Sequence, residues 1–267
     1  MRQSSNSPSS STELVATAIG DRRNLRLRPV TGREELALSP ADPHAARTLL
    51  ARVVCADGAG APVDPASLTV SDADRLLATL HQLLYGDRAE CRVRCAVCDE
   101  PYEFTVVLSE LMQNQDAERP EPAGADGAWP LPDGGQLRAP RLGDVDAAPS
   151  PAALLERLTD AGAVIDAETA GTLLEKAAPV LVLDLSAPCP ECGTDTVVRF
   201  DIGRYLVARL AAERPFLLRE AHLIASRYGW SHDEIMGLPR DERRAYAGYI
   251  EAERAATTAT RTARAAR

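Results

Sequence analysis

At 267 residues, 45% of them apolar but only 4% aromatic, the chain is long enough to bury a real core, built mostly of Leu, Val and Ala. A formal net charge of −9 repels phosphate backbones, so no nucleic acid is expected as the main partner. No run of about 18 apolar residues occurs, so no membrane partner is expected.

Residues 1–12 are Ser-rich and polar, and a disordered N-terminal tail is expected over 1–22. Nothing there resembles a signal peptide, which points to a reducing, cytoplasmic compartment in which paired thiols favour metal over disulfide. An α+β domain is expected over 23–202. Asn24–Val30 alternates apolar and charged residues like a half-buried strand, and Thr31–Glu35 starts a short turn or helix. Pro43–Val54 reads as a helix and Pro62–Leu68 as a loop. Ser71, with Asp74 three residues on, reads as the capping box of the next helix. That helix carries Leu76, Leu77, Leu80, Leu83 and Leu84 on one face and stops at Gly86. A first hairpin follows: Glu90–Arg94, the knuckle Cys95-Ala-Val-Cys98, and Tyr102–Leu108.

Residues 115–135, rich in Pro, Gly, Asp and Ala, are expected to form a flexible loop. Gln136–Pro140 reads as an edge strand, followed by amphipathic helices over Pro151–Ala161 and Ala167–Ala178. Pro179–Leu185 is the strongest strand signal and delivers the second knuckle, Cys189-Pro-Glu-Cys192, ahead of Thr196–Phe200. A helical C-terminal module is expected over 203–254. Its helices are Arg204–Ala212, Pro215–Tyr228 with Pro at its first position, a short helix opened by the capping box Ser231-His-Asp-Glu234, and a last helix from Pro239 to about Arg254. Residues 255–267 read as a basic flexible tail. A strand and helices lead to each knuckle, but no residue-level period is visible.

Cys95, Cys98, Cys189 and Cys192 are the candidate metal ligands. Two Cys-x-x-Cys pairs, each presenting two sulfurs on a tight turn, suit one tetrahedral, structural Zn²⁺ that pins together hairpins 90 residues apart. Reduced unoccupied thiols or a redox pair are the alternatives. Cys55 and Cys91 read as small buried apolar residues, with Cys91, four positions before Cys95, as an alternative ligand. No His-Glu-x-x-His pattern occurs. His232-x-Glu234 and Pro188-Cys189-Pro-Glu-Cys192 match the two halves of a zinc-deaminase signature, but in reverse chain order, and helix capping already explains His232 and Glu234. His44, His81 and His222 read as helix-surface or core-edge residues. No catalytic site is expected.

The C-terminal module holds the second informative pattern. Gly229 permits the left-handed conformation that ends a helix, and Trp230, just before the cap Ser231, is placed to staple onto Ile235. Leu238, Tyr246, Tyr249 and Ile250 continue an apolar face, with Arg240, Arg243 and Arg244 as a rim. This face either closes the module's own core or docks on a partner.

The stretch YGWSHDEIMGLPRDERRAYAGYIE resembles a segment of the baseplate-hub assembly proteins of T-even-like phage tails, a family with related members in phage-tail-like contractile injection systems. LRLRPVTGREELAL, DADRLLATLHQLLYGDRAECRVRCAVC, LRAPRLGDVDAA and LDLSAPCPECGTDTVVRFDIGRYL look like further pieces of the injection-system members, in order, over most of residues 23–252. The resemblance implies a non-enzymatic role in building a baseplate, with baseplate or hub proteins as partners. It carries over to Tyr228, Gly229, Trp230, Glu234, Ile235, Leu238, Arg243, Arg244 and Tyr246. Of these, Tyr228, Trp230, Ile235, Leu238, Arg243, Arg244 and Tyr246 form the expected partner face. Ala247 departs from the pattern, which has a larger apolar residue there. Zinc follows from the cysteines here and not from the family. The competing reading is a zinc-ribbon regulator binding nucleic acid, which the acidic charge opposes; a metal-dependent hydrolase or redox protein is the third.

Overall fold

The computed structural model describes residues 14–17, 24–57, 60–117, 120, 128–131, 135–160 and 165–265. Most of the expected N-terminal tail and much of the expected 115–135 loop lie outside the described residues. In chain order, β1 (Leu14–Thr17), β2 (Asn24–Leu27) and β3 (Val54–Asp57) form a sheet of that order, with α1 (Gly32–Ala37) and α2 (Ala45–Val53) between β2 and β3. A 3-10 turn at Pro65–Ser67 precedes α3 (Val70–Tyr85). The antiparallel hairpin β4 (Arg88–Arg94) and β5 (Pro101–Val107) leads into α4 (Leu108–Ala117). The short pair β6 (Trp129–Pro130) and β7 (Gln136–Leu137) is followed by α5 (Leu142–Ala147), α6 (Pro151–Leu158) and α7 (Ala167–Ala177). A second antiparallel hairpin, β8 (Val182–Pro188) and β9 (Asp195–Asp201), leads into α8 (Ile202–Ala212), α9 (Arg214–Tyr228), α10 (His232–Gly237) and α11 (Arg240–Ala265). The architecture is thus a mixture of helices and small antiparallel hairpins. Among the described residues, no helix is long and apolar enough to cross a membrane.

The residues fall into two compact units. One takes in Val15–Arg26 and Ala46–Leu206, and the other Leu27–Ala45 and Val207–Arg267. In the first, α3 is the organising helix: Leu76, Leu77 and Leu80 are buried, whereas Leu83 is 47% exposed and leaves the expected face. Its N-cap is Thr69, which accepts from the Asp72 N–H at 3.0 Å, and not Ser71. Ser71 and Asp74 are turned instead to the segment entering β8. The Ser71 hydroxyl donates to the Pro179 carbonyl at 2.6 Å, and Asp74 accepts from the Leu181 N–H at 2.8 Å. A helix cap is a local option that a buried partner elsewhere can outbid. The helix ends at Gly86 with φ 84°, as the glycine stop predicts. Helix α4, unforeseen from sequence, starts where Asp87 accepts from both the backbone N–H and the hydroxyl of Ser109. Arg75, 2% exposed, ties α3 to α4 through Asp116 at 2.6 Å.

Burial pushes the Asp74 carboxyl up to about 7, and nearby Asp201 adds to the rise against the Leu181 N–H, Arg47 and Arg75. Its folded pKa lies above its unfolded one, so its contribution to stability is full below about pH 4 and is lost as pH rises towards 7. Asp74→Asn is expected to flatten that dependence and to add about 2 kcal/mol above pH 7, since an amide oxygen still accepts from Leu181 without a charge to desolvate. Urea melts at pH 5 and pH 8 check this; an unchanged difference between the two pH values refutes it.

In the second unit, Leu217, Ala221, Leu223, Ile224, Ile235, Met236, Ala247 and Ile250 form the core. Ala247, 5% exposed, is part of that core despite its small size. The glycine stop and the capping box occur as expected. Gly229 has φ 70° and bonds back to Ala225 at 2.9 Å; Ser231 and Glu234 bond reciprocally at 2.8 and 3.3 Å. Helix α11 does not end near Arg254 but continues to Ala265, with residues 251–262 exposed. Alanine is the best helix former, and the threonine hydroxyls are satisfied within the helix by donating to the carbonyl four residues back: Thr257 to Glu253, Thr258 to Arg254, Thr260 to Ala256, Thr262 to Thr258.

Candidate metal centre

Each cysteine pair sits on the turn of a hairpin, and the two turns are built alike. In the first, the Cys95 N–H donates to the Glu100 carbonyl at 3.0 Å and the Asp99 N–H to the Cys95 carbonyl at 3.0 Å; in the second, Cys189 donates to Thr194 at 2.9 Å and Gly193 to Cys189 at 2.8 Å. The fifth residue of each turn is left-handed: Gly193 at φ 71°, where glycine pays nothing, and Asp99 at φ 58°, where an L side chain costs about 1 kcal/mol. The correspondence extends outward at a constant offset of 94 residues. Arg88–Arg94 matches Val182–Pro188, Pro101–Val107 matches Asp195–Asp201, and Leu108, which opens α4, matches Ile202, which opens α8. Leu108 and Ile202 are both fully buried, and their N–H groups donate to the equivalent carbonyls of Asp87 at 3.0 Å and Leu181 at 3.1 Å. A hairpin-plus-helix module therefore occurs twice.

A second duplicated feature is visible upstream. Arg28 grips the Glu34 carboxylate at 2.7 and 3.2 Å while the Thr31 N–H donates to the same group at 2.9 Å. Arg138 grips Asp144 at 2.6 and 2.8 Å, with the Arg141 N–H at 2.9 Å. Burial pushes the Glu34 carboxyl up, but Arg28 and Thr31 override it and hold it at about 2; Arg138 holds Asp144 at about 2. The Val30 carbonyl then receives the Arg240 N–H at 3.0 Å in one unit, and the Pro140 carbonyl receives Val70 at 2.9 Å in the other.

The two hairpin turns bring Cys95, Cys98, Cys189 and Cys192 together, with all four sulfurs within 4.8 Å of one another. Cys95 and Cys192 approach to 3.6 Å and Cys98 and Cys189 to 3.7 Å. A tetrahedron with metal–sulfur bonds of about 2.3 Å has edges of about 3.8 Å, so the cluster is close to metal-sized. Cys95 and Cys189 are each 2% exposed, Cys98 is half-buried and Cys192 exposed. The Cys98 and Val97 N–H groups favour a thiolate at Cys95 and hold its pKa at about 6. At Cys98 the Glu100 N–H also favours a thiolate, but burial and the three neighbouring sulfurs outweigh it and push the thiol up to about 12. Four sulfurs this close ionise together only when a cation balances them. The hairpins share one more tie: buried Tyr102 donates its hydroxyl to the Ala187 carbonyl at 2.8 Å. That residue was not singled out from sequence, where it read only as a strand position.

Cys91 is not in the cluster. It lies on β4 opposite Phe104, about 13 Å along the strand from Cys95 at about 3.3 Å per residue. Cys55 donates to the Arg26 carbonyl at 3.1 Å. Both are half-buried, not fully buried as expected. His232 and Glu234 belong to the other compact unit, where Glu234 serves the Ser231 cap.

Of the expected partner face, Tyr228, Trp230 and Tyr246 come together as three packed rings, with Trp230–Tyr246 centroids 5.1 Å apart, Tyr228–Trp230 5.4 Å and Tyr228–Tyr246 5.8 Å. Tyr228 is 42% exposed; Trp230, Tyr246 and Leu238 are half-buried, and Arg244 is exposed. Ile235 and Arg243 are instead enclosed, at 0% and 1% exposure, and so is Arg240 at 3%. Arg243 turns inward because Glu35 at 2.7 Å and Glu220 at 2.8 Å bond its guanidinium, so it is a core group and not a rim residue. Glu35 was not anticipated, because nothing local in the sequence marks it as a bridge between arginines more than 200 residues away. No family model, curated protein or solved structure matches the chain.

Proposed function

We propose that this chain is a non-enzymatic, zinc-clamped scaffold that acts by binding other proteins, as a baseplate assembly or structural component of a phage-tail-like contractile injection system. The observation that carries the scaffold reading is the convergence of four sulfurs from two distant hairpins within 4.8 Å. An all-thiolate tetrahedral set is soft and closed: it favours Zn²⁺ and leaves no coordination position for water or substrate. Cys95, Cys98, Cys189 and Cys192 hold the ion, and its contribution is cohesion.

The baseplate assignment is supported by the ordered resemblance over residues 23–252, and the binding mode by the ring cluster. Rings locked against each other lose little freedom on docking, which lowers the cost of association. Baseplate or hub proteins are the proposed partners. Replacing Trp230 and Tyr246 together by Ala is expected to abolish particle assembly while metal content persists, because the rings and the cysteines belong to different units. Exposed Tyr228→Ala, which leaves the helical core intact, is expected to reduce assembly in the same direction. Particle counts by electron microscopy and metal analysis of the purified variants read both results. Normal contractile particles from the double variant refute the reading.

A further inference from the structure

We propose that the four-thiol cluster is a redox modification site at which an oxidant of the peroxide class makes two disulfides that cross between the hairpins, Cys95–Cys192 and Cys98–Cys189. The crosslinking rests on sulfur geometry alone; the accompanying release of a divalent ion rests on the metal-clamp reading above.

The cross-hairpin approaches, 3.6 Å for Cys95–Cys192 and 3.7 Å for Cys98–Cys189, are one contact seen twice. The 94-residue offset that relates the two hairpin modules turns Cys95 into Cys189 and Cys98 into Cys192, and so carries one pair onto the other. Each pair joins a more exposed cysteine to a buried one. Cys192 is exposed and faces Cys95, 2% exposed; Cys98 is half-buried and faces Cys189, 2% exposed. That is the layout of a thiol that meets the oxidant beside a thiol that resolves it. Closing a pair to about 2.0 Å asks each sulfur to move about 0.8 Å.

At Cys192 the sulfur anion attacks the peroxide. An S–O bond forms, the O–O bond breaks, and hydroxide leaves, giving a sulfenic acid. The Cys95 sulfur anion then attacks the sulfenic sulfur. The S–S bond forms, the S–O bond breaks, and a second hydroxide leaves. Two electrons have passed from two sulfurs to one peroxide. A second peroxide does the same at Cys98 and Cys189, where the hydroxide released at the first pair takes the Cys98 proton before attack. Loss of four anionic ligands frees the ion, and a dithiol reductant restores the thiols. The hairpins stay joined throughout, first by coordination and then by covalent bonds across 97 and 91 residues of chain.

The test uses the full-length, reduced protein treated with hydrogen peroxide, with free thiols blocked before proteolysis and disulfides mapped by mass spectrometry. A colorimetric chelator follows released zinc. The expected result is that peptides joined as Cys95–Cys192 and Cys98–Cys189 dominate and that dithiothreitol reverses them. Cys192→Ser is expected to keep the Cys98–Cys189 crosslink and lose the other. Bonds within a pair, Cys95–Cys98 or Cys189–Cys192, or bonds to Cys55 or Cys91, or oxidation only to sulfinic acid, overturn the proposal. Cross-hairpin bonds in protein that carried no metal beforehand sustain this site and sink the metal clamp. Released zinc with bonds inside each pair does the reverse.

Discussion

Cys189→Ser is expected to strip the metal and to destabilise the cysteine-bearing unit by at least about 3 kcal/mol, a fraction of the roughly 10 kcal/mol or more that a structural zinc site supplies. Serine is close in size, but its hydroxyl does not ionise at neutral pH, so one of four anionic ligands is lost. The position is 2% exposed, so the new hydroxyl is also buried. Beside the sulfurs, the small shared core contains Tyr102 and Ala187, flanked by Val93 and Phe104. A two-stranded hairpin is marginal by itself, so each hairpin depends on this junction. A strong chelator acting on the reduced wild type is expected to reproduce the effect. Amide exchange is expected to rise across both hairpin turns and to change least in the helical core around Ile224 and Ile235. Cys91→Ser, outside the cluster, serves as the control, with an expected cost below about 1 kcal/mol. Thermal melting, metal analysis and hydrogen exchange read the result. A Cys189→Ser protein that keeps its metal and its melting temperature refutes the clamp.

Arg243→Ala carries the second large expected loss, about 3–5 kcal/mol, because it removes one of the two guanidinium groups that hold buried Glu35 and the nearer of those that hold Glu220. Arg243, 1% exposed, binds Glu35 at 2.7 Å and Glu220 at 2.8 Å; Arg240, 3% exposed, binds the other oxygen of Glu35 at 2.7 Å and also reaches Glu213. Glu35, itself 3% exposed, thus bridges two guanidinium groups. This is a task for arginine, whose planar fork presents several donors at once, so Arg243→Lys is expected to rescue only part of the loss. The approach is close enough to restrict the opposite helix as well. A Cβ at Gly32 would stand 2.7 Å from the Met236 sulfur and 3.1 Å from Arg243 Nη1. Urea denaturation of Arg243→Ala, Glu35→Ala and the double variant measures the coupling. The double variant is expected to be less destabilised than the sum of the two, since removing both ends leaves fewer charges stranded. Additive losses, or a cost below about 1 kcal/mol for Arg243→Ala, refute the buried network.

Some of this was legible in the residues because it is local. The Ser231–Glu234 box, the left-handed glycines at Gly86 and Gly229, and the turn placement of both cysteine pairs need only neighbours within five positions. Other local signals misled. Ser71 and Asp74 read as a capping box, yet both bond to the chain entering β8, 107 or more residues away. The α4 start was hidden because its capping group, Asp87, lies 22 residues upstream. The hairpin duplication shows in the residues only as a crude repeat, a strand and helices before each knuckle, because what the two copies share is backbone geometry. Asp99 and Gly193 occupy the same left-handed place, and Leu108 and Ile202 the same buried one, with different side chains.

The residues alone determined the chemistry on offer: four thiols paired for a soft cation, an acidic surface, and aromatic rings at a helix turn. Spacing along the chain was enough for that, since each signal lives within one turn of backbone. Tertiary structure decided which groups meet. It set the four sulfurs within 4.8 Å, turned Arg243 and Ile235 inward while leaving Tyr228 out, and grouped Leu27–Ala45 with the C-terminal helices. Those outcomes depend on the burial of side chains separated by tens to hundreds of residues, where apolar area and ion pairing across the fold outweigh any local preference.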